Sequence, residues 1–194
     1  SEVVKTYFIA LVASSVMIAV SLRIADVYPT LLSSFRHSLF QVVSISTTAG
    51  FATADTNTWT PLAIMLLVFL SMVGACAGST TGGLKFDRLI LAAKSVKARI
   101  VQQQHPNAIV RIKIDGVLQR TDTVGAVMTF IVFYVLLILI GVFVNSLYGL
   151  DLMTGFTSAV SCVSNVGPAF GEVGSVLNYS SMPVMVKFTD TLLM

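Results

Sequence analysis

The apolar stretches of this chain come in two lengths, and the difference between them limits what it can fold into. Thr6–Leu22, Pro61–Val73 continuing through a small-residue tract to about Ala93, and Val124–Leu147 each come near or pass the roughly 20 apolar residues that carry a helix across a bilayer. Ser33–Ile45 and Asp151–Val163 are shorter. As helices they reach about 20 Å, too little for a hydrocarbon core of about 30 Å. Alternating long and short segments predict half-helices that enter the membrane and return to the side they came from. Composition agrees with a lipid solvent: 55% of residues are hydrophobic and 11% charged, with mean hydropathy +0.87, whereas a soluble domain carries about 25% charged residues. A last apolar segment runs from about Met182 to Met194, short of a crossing. Together with Ser1 in place of an initiator Met, and no signal-peptide pattern before the first span, it reads as part of a longer chain.

Each short segment ends in a hydroxyl-rich run centred on glycine, SISTTAGF at 44–51 and SCVSNVGP at 161–168, with Gly50 and Gly167 lying 117 residues apart. The order span, half-helix, glycine-centred loop, span therefore occurs twice. Ser33 or Ser34 and Asp151 suit the N-caps of the half-helices, because their side-chain oxygens can accept unpaired first-turn N–H groups. Irregular backbone at membrane depth survives only where protein buries it or water lines it. Both loops should thus face a cavity, and the half-helix C-termini, with their partial negative charge, would turn it toward cations. A pore that passes a dehydrated cation replaces its water with oxygens, which backbone carbonyls supply without a trapping charge. Thr47, Thr48, Ala49, Gly50 and Phe51 would form one wall, and Ser164, Asn165, Val166, Gly167 and Pro168 another. The plainer alternative makes Gly50 and Gly167 ordinary helix C-caps.

Orientation follows from charge. Lys85, Arg88, Lys94, Lys97, Arg99, Arg111, Lys113 and Arg120 fall within 85–120, while the glycine-centred loops and their half-helices hold only Arg36, so 85–120 is expected on the cytoplasmic side. Within it Val110, Ile112 and Ile114 alternate with Arg111 and Lys113 ahead of an Asp115-Gly116 turn and Val117-Leu118, a small basic β-hairpin. It could be a solvated connector, a docking site, or a contact with anionic lipid.

The tract Gly74, Ala75, Cys76, Ala77, Gly78, Ser79, Thr80, Thr81, Gly82, Gly83 has two readings. Glycines four apart commonly mark close packing of membrane helices. The same composition is poor helix material and predicts a break that could move. Lys85 does not follow glycine at the spacing of a phosphate-binding loop. Lys187, a charge in an apolar helix, is expected to pair with Asp190, to snorkel to the outer interface, or to set a positive charge beside the pore. Cys76 and Cys162 are isolated, which argues against a zinc site or a disulfide. His37 and His105 lack the partners of a catalytic site, Asn178-Tyr179-Ser180 is a short sequon, and Phe130, Phe133, Tyr134, Phe143 and Tyr148 read as packing and interface anchors. No nucleophile, base or metal constellation points to an enzyme, and nothing suggests a nucleic-acid partner.

STTAGFATAD at 46–55, GACAGSTTGGLKFDR at 74–88, HPNA at 105–108 and SNVGPAFGEVG at 164–174 resemble, in that order, the Trk/Ktr/HKT superfamily of potassium transport subunits, most of all its Trk branch. The resemblance covers nearly the whole chain. It implies an all-α membrane protein with two span–pore-loop–span repeats, half of a four-repeat potassium-channel-like fold. It divides the chain into a repeat at 1–98 with a broken second helix, a cytoplasmic hairpin at 99–120 and a repeat at 121–194 whose last helix is cut short, which resemble the family's third repeat and most of its fourth. It further implies a multi-pass protein of the bacterial inner membrane that takes up potassium, the ion resting against Thr48, Ala49, Asn165 and Val166. The 74–83 tract would gate the pore, and a cytosolic ring of nucleotide-binding domains would dock at Arg111 and Lys113 on a subunit that forms a homodimer. Potassium would be cargo, with no bound cofactor. One glycine per loop implies a less stringent filter than a dedicated potassium channel has. From the residues alone, a non-conducting scaffold that recruits a soluble partner stays open.

Overall fold

The computed structural model describes residues 1–105 and 111–194, so Pro106, Asn107 and Ala108 of the HPNA motif and Val110 of the expected hairpin lie outside the described residues. Helix α1 spans Glu2–Ile24, one turn longer at its start than the apolar run alone suggests. Helix α2 covers Leu31–Ser46. Its N-cap is Thr30, whose extended backbone turns Oγ1 toward the Ser33 N–H at 3.2 Å. Neither Ser33 nor Ser34 caps it: Leu31 and Leu32 are good helix formers that carry the helix further out, and Ser34 Oγ instead donates back to the Thr30 carbonyl.

Helix α3 begins at Pro61, preorganised for a first helical position and capped by the Thr60 hydroxyl, and ends at Met72. The apolar run to about Ala93 is therefore not one helix. Strands β1 (Val73–Gly74) and β2 (Leu84–Lys85) pair in parallel across the break, Val73 opposite Leu84 and Gly74 opposite Lys85, before α4 (Phe86–Gln104). Strands β3 (Lys113–Ile114) and β4 (Val117–Leu118) form the expected hairpin. Asp115 and Gly116, with φ 50° and 80°, give it the two left-handed turn residues that match strand twist. Helices α5 (Thr121–Leu147), α6 (Leu152–Val163) and α7 (Val184–Leu193) complete the chain, Asp151 capping α6 as expected through Met153 N–H at 3.2 Å.

Each span lies along its half-helix, α1 on α2 and α5 on α6; α3 bridges α1, α2 and α6, and α7 rests on α5 and α6. By length and composition α1 and α5 can cross a membrane. At 23 and 27 residues they reach about 34 and 40 Å. Along α5, Val132, Phe133, Leu136, Leu139, Ile140 and Phe143 are exposed. That continuous apolar stripe is the surface a membrane helix offers to lipid. The all-α class and the two pore-loop repeats of the sequence reading both stand.

The two repeats share one core. Val166 and Phe170 of the second are buried among Ile18, Leu22, Val42, Ile45, Trp59 and Leu67 of the first. At the end of the fold where α3 begins, the Asn57 amide donates to Gly171 O at 2.9 Å and accepts from Gly171 N at 3.0 Å, while Ser175 Oγ accepts from Thr56 N and donates to Ala54 O. At the other end Lys94 Nζ reaches Glu2 at 3.4 Å and the Lys113 carbonyl at 3.0 Å, gathering the start of α1, α4 and the hairpin. The Ser1 hydroxyl donates to Asp115 there, and this bond holds the Asp115 carboxyl below the usual carboxylate range.

Candidate pore-loop site

Both half-helices end in the same backbone device, residue for residue. In α2, Thr48 N–H bonds Ile45 O at 3.0 Å and Ala49 N–H bonds Ser44 O at 2.9 Å; in α6, Asn165 N–H bonds Cys162 O and Val166 N–H bonds Ser161 O, each at 3.0 Å. These are Schellman closures, and the left-handed residue that each requires is Thr48 or Asn165, both at φ 55°. Gly50 and Gly167 lie two residues further on, so the C-cap reading of the glycines is overturned. Asparagine tolerates that conformation, whereas a β-branched threonine there is uncommon and strained by about 1–2 kcal/mol. The side chains repeat the pattern: Ser44 Oγ donates to Phe51 O at 2.6 Å and Ser161 Oγ to Pro168 O at 2.8 Å. Those serines pin the far end of each loop to its own half-helix.

The loops meet each other. Gly50 has φ +74°, and a Cβ built on it would overlap the Val166 carbonyl oxygen, with Pro168 Cδ at 3.1 Å. Thr47, Ala49, Phe51, Asn165 and Gly167 are exposed, Thr48, Gly50 and Pro168 are half-buried, and Ser164 and Val166 are buried. The expected filter residues are thus brought together as two abutting turns at the C-terminal ends of two half-helices. Beside the first turn a groove of about 630 Å³ runs along α2, lined among others by Phe40, Val43, Thr47, Ala49 and Phe51.

The 74–83 tract is a loop closed on itself. Ala75 N–H donates to Thr81 Oγ1, Ser79 and Thr81 share a 2.7 Å hydroxyl contact, Lys85 Nζ donates to Ser79 O at 2.9 Å, and Phe86 N–H returns to Ala75 O. These bonds pair part of the loop's polar groups internally, which irregular backbone at membrane depth requires. Packing between helices across Gly74, Gly78 and Gly82 does not occur, because the segment is not helical. The glycines instead admit close approach of the second pore loop: a Cβ on Gly82 would overlap Ser164 O and stand 3.1 Å from Asn165 Cβ, and one on Gly83 would lie 3.1 Å from Met72 O. Gly78, at φ +89°, forms the open tip.

Lys187 does not pair with Asp190. Its Nζ donates to Ser180 O at 2.8 Å, in the 179–181 turn that precedes α7. Asp190, buried, accepts from Asn145 Nδ2 at 3.2 Å and from the Ser158 hydroxyl, which fasten α7 to α5 and α6. Arg111 and Lys113 stand on the hairpin as expected. His37 stacks on Tyr28 at 4.8 Å, the two cysteines are free, and Asn178 Oδ1 accepts from Ser180 N–H as the cap of a single turn. Composition alone makes Tyr134 a packing or interface anchor, and the structure gives it more. Its buried hydroxyl sits 2.7 Å from Ser164 Oγ and donates to Met72 O at 3.2 Å. The available signal was a phenol amid aliphatic residues of a spanning helix, which needs a partner that lipid cannot give.

The profile of the TrkH family, described as cation transport protein, matches residues 3–191. The Trk system potassium uptake protein TrkH of Halomonas elongata is 37% identical over 176 residues, covering 89% of this chain and 35% of that protein. The Trk system potassium uptake protein TrkH of Escherichia coli K12 is 34% identical over 163 residues, covering 84% and 33%. The crystal structure of the potassium transporter TrkH from Vibrio parahaemolyticus superposes with TM-score 0.89 at 29% identity, over 98% of this chain and 40% of that one. The chain thus spans about a third of the length of the curated relatives it matches.

Proposed function

Because the chain belongs to the TrkH family of cation transport proteins, we propose that it supplies two of the four pore-loop repeats of a potassium uptake subunit, in a multi-pass protein of the bacterial inner membrane. The observation that carries this is the pair of abutting, identically closed turns, Thr47–Phe51 and Ser164–Pro168, each at the C-terminal end of a half-helix. Half-helix C-termini direct partial negative charge at the turns, which favours cations. Carbonyls of Thr48, Ala49, Asn165 and Val166 are the oxygens that would replace potassium's water. The chain divides, on this reading, into repeats at 1–98 and 121–194 joined by the cytoplasmic segment 99–120.

The tract Gly74–Gly83 is the gate. It carries its own hydrogen bonds, touches the second pore loop through Gly82 and has a free tip at Gly78, which suits a part that shifts as a body. Lys187, two turns outward along α7 from Met194, sets a positive charge toward the outer mouth, where it limits how many cations queue. The subunit forms a homodimer and rests on a cytosolic ring of nucleotide-binding regulatory domains, with Arg111 and Lys113 among its contacts.

Full-length protein in liposomes tests both halves of this reading. Potassium uptake exceeding sodium uptake is expected, and the absence of both fluxes would leave a scaffold. Reversing charge with Arg111→Glu and Lys113→Glu should leave that uptake intact, since both residues lie outside the spans. The same variant should bind the regulatory ring more weakly at low salt, where screening is least, by about tenfold for a pair of exposed charges at about 0.2–1 kcal/mol each plus the new repulsion. Equal binding at every ionic strength would remove the hairpin from the docking surface.

A further inference from the structure

Tyr134 lies on α5, away from both pore loops in sequence, yet its side chain is 5% exposed and surrounded by Leu84, Ile138 and Val160. Its hydroxyl has one proton to give. That proton goes to the Met72 carbonyl at 3.2 Å, so the Ser164 hydroxyl at 2.7 Å must donate to Tyr134 Oη. The result is a directed relay from Ser164 through Tyr134 to Met72. Met72 is the last residue of α3, where the helix breaks, and its carbonyl is one of the end groups a helix cannot satisfy itself. Ser164 is the first residue of the second pore loop. Gly82 and Gly83, the returning arm of the 74–83 tract, are wedged against these same two residues.

We propose that Tyr134 is a positioning residue: its hydroxyl fixes the end of α3 against the start of the second pore loop and so holds the intervening tract in its closed place. This rests on the reading of the tract as a gate. Gly82 reaches Ser164 O only while Met72 and Ser164 keep this separation, because β1 and β2 tie the tract to the end of α3. Displacing the tract with α3 stretches the relay. In a site walled by apolar side chains no water replaces the lost bonds, so the closed arrangement is favoured by the relay as a whole. The same contact couples gate to filter, since the Ser164 hydroxyl is hydrogen-bonded by Tyr134 while Gly82 packs against the Ser164 carbonyl with no room for a side chain.

The test uses full-length protein in liposomes without the regulatory ring, reading resting potassium flux and the potassium-to-sodium ratio per inserted protein. Tyr134→Phe keeps the ring and removes the hydroxyl; a rise in resting flux of about fivefold is expected, what the loss of one net hydrogen bond does to a two-state equilibrium. Ser164→Ala breaks the relay from the other end, and the double variant should go no further than the larger single one. Tyr7→Phe, which deletes a buried hydroxyl with no partner among the described residues, should change nothing. Gly82→Ala reports on the gate independently. If Gly82→Ala raises resting flux while Tyr134→Phe and Ser164→Ala leave flux and ratio at the wild-type level, the relay is overturned and the gate stands. If Gly82→Ala is silent as well, the gate reading fails and the relay's role with it. Should Tyr134→Phe not insert, Ser164→Ala decides by the same criteria.

Discussion

Gly50→Ser is expected to abolish discrimination between potassium and sodium, or conduction itself, in a full-length protein that still inserts and is expressed at ordinary levels. Two effects act at this position, and their sizes differ. Positive φ costs a non-glycine residue about 1–2 kcal/mol. The fold already bears that strain at Thr48, so it alone would be tolerated. The second effect is contact: the new Cβ would overlap the Val166 carbonyl oxygen and press on Pro168. Neither neighbour is the loose end of a side chain, and Val166 is locked in the shared core, so the two turns must separate. Carbonyls that must converge on one ion lose their geometry, and a change of at least tenfold in the potassium-to-sodium flux ratio follows from as little as ~1.4 kcal/mol of altered binding. An unchanged ratio in well-inserted Gly50→Ser would remove Gly50 from the filter. At Gly167, by contrast, nothing lies within 4 Å of a built Cβ, so substitution there strains the backbone without pushing the turns apart.

Gly82→Ala is expected to raise resting potassium flux by about tenfold with insertion preserved. The methyl would overlap Ser164 O, and the neighbour able to yield is the tract, whose tip at Gly78 is open, while Ser164 is fully buried and held by Tyr134. Overpacking of one methyl costs about 1–3 kcal/mol, enough to shift a two-state gate by an order of magnitude or more. Flux assays in liposomes, normalised to inserted protein, measure it directly. Wild-type resting flux in a well-expressed Gly82→Ala protein would mean that the tract only fills space.

Much of the architecture was legible because lipid makes segment length a hard constraint: the 13-residue stretches could not span, and α2 and α6 are half-helices. The repeat was legible too, and extends further than its glycines suggested. Ser44 and Ser161, which open the two motifs, bind the carbonyls of Phe51 and Pro168. What composition could not give was the start of α2, since Thr30, Ser33 and Ser34 all offer a capping oxygen and only backbone conformation chooses among them. Nor could it separate the readings of the glycine-rich tract, whose residues are small enough for helix packing and flexible enough to break a helix. The outcome lies between: no helix forms, but Gly82 is used for close approach. Lys187 and Asp190 show the limit of local spacing, since residues three apart on one helix found separate partners on other elements. Tyr134 shows the same limit at longer range, with its partners 62 and 30 residues away.

If both turns line one ion path, thiols placed on their exposed faces share that path with potassium. Thr47→Cys and Asn165→Cys would each be made in full-length protein with Cys76 and Cys162 replaced by alanine, and treated from outside with a small cationic thiol reagent while potassium flux is followed. Modification should block flux at both positions, and bath potassium should slow the modification at both by competing for the same space. Complete modification of both cysteines with flux unaltered would contradict the assignment.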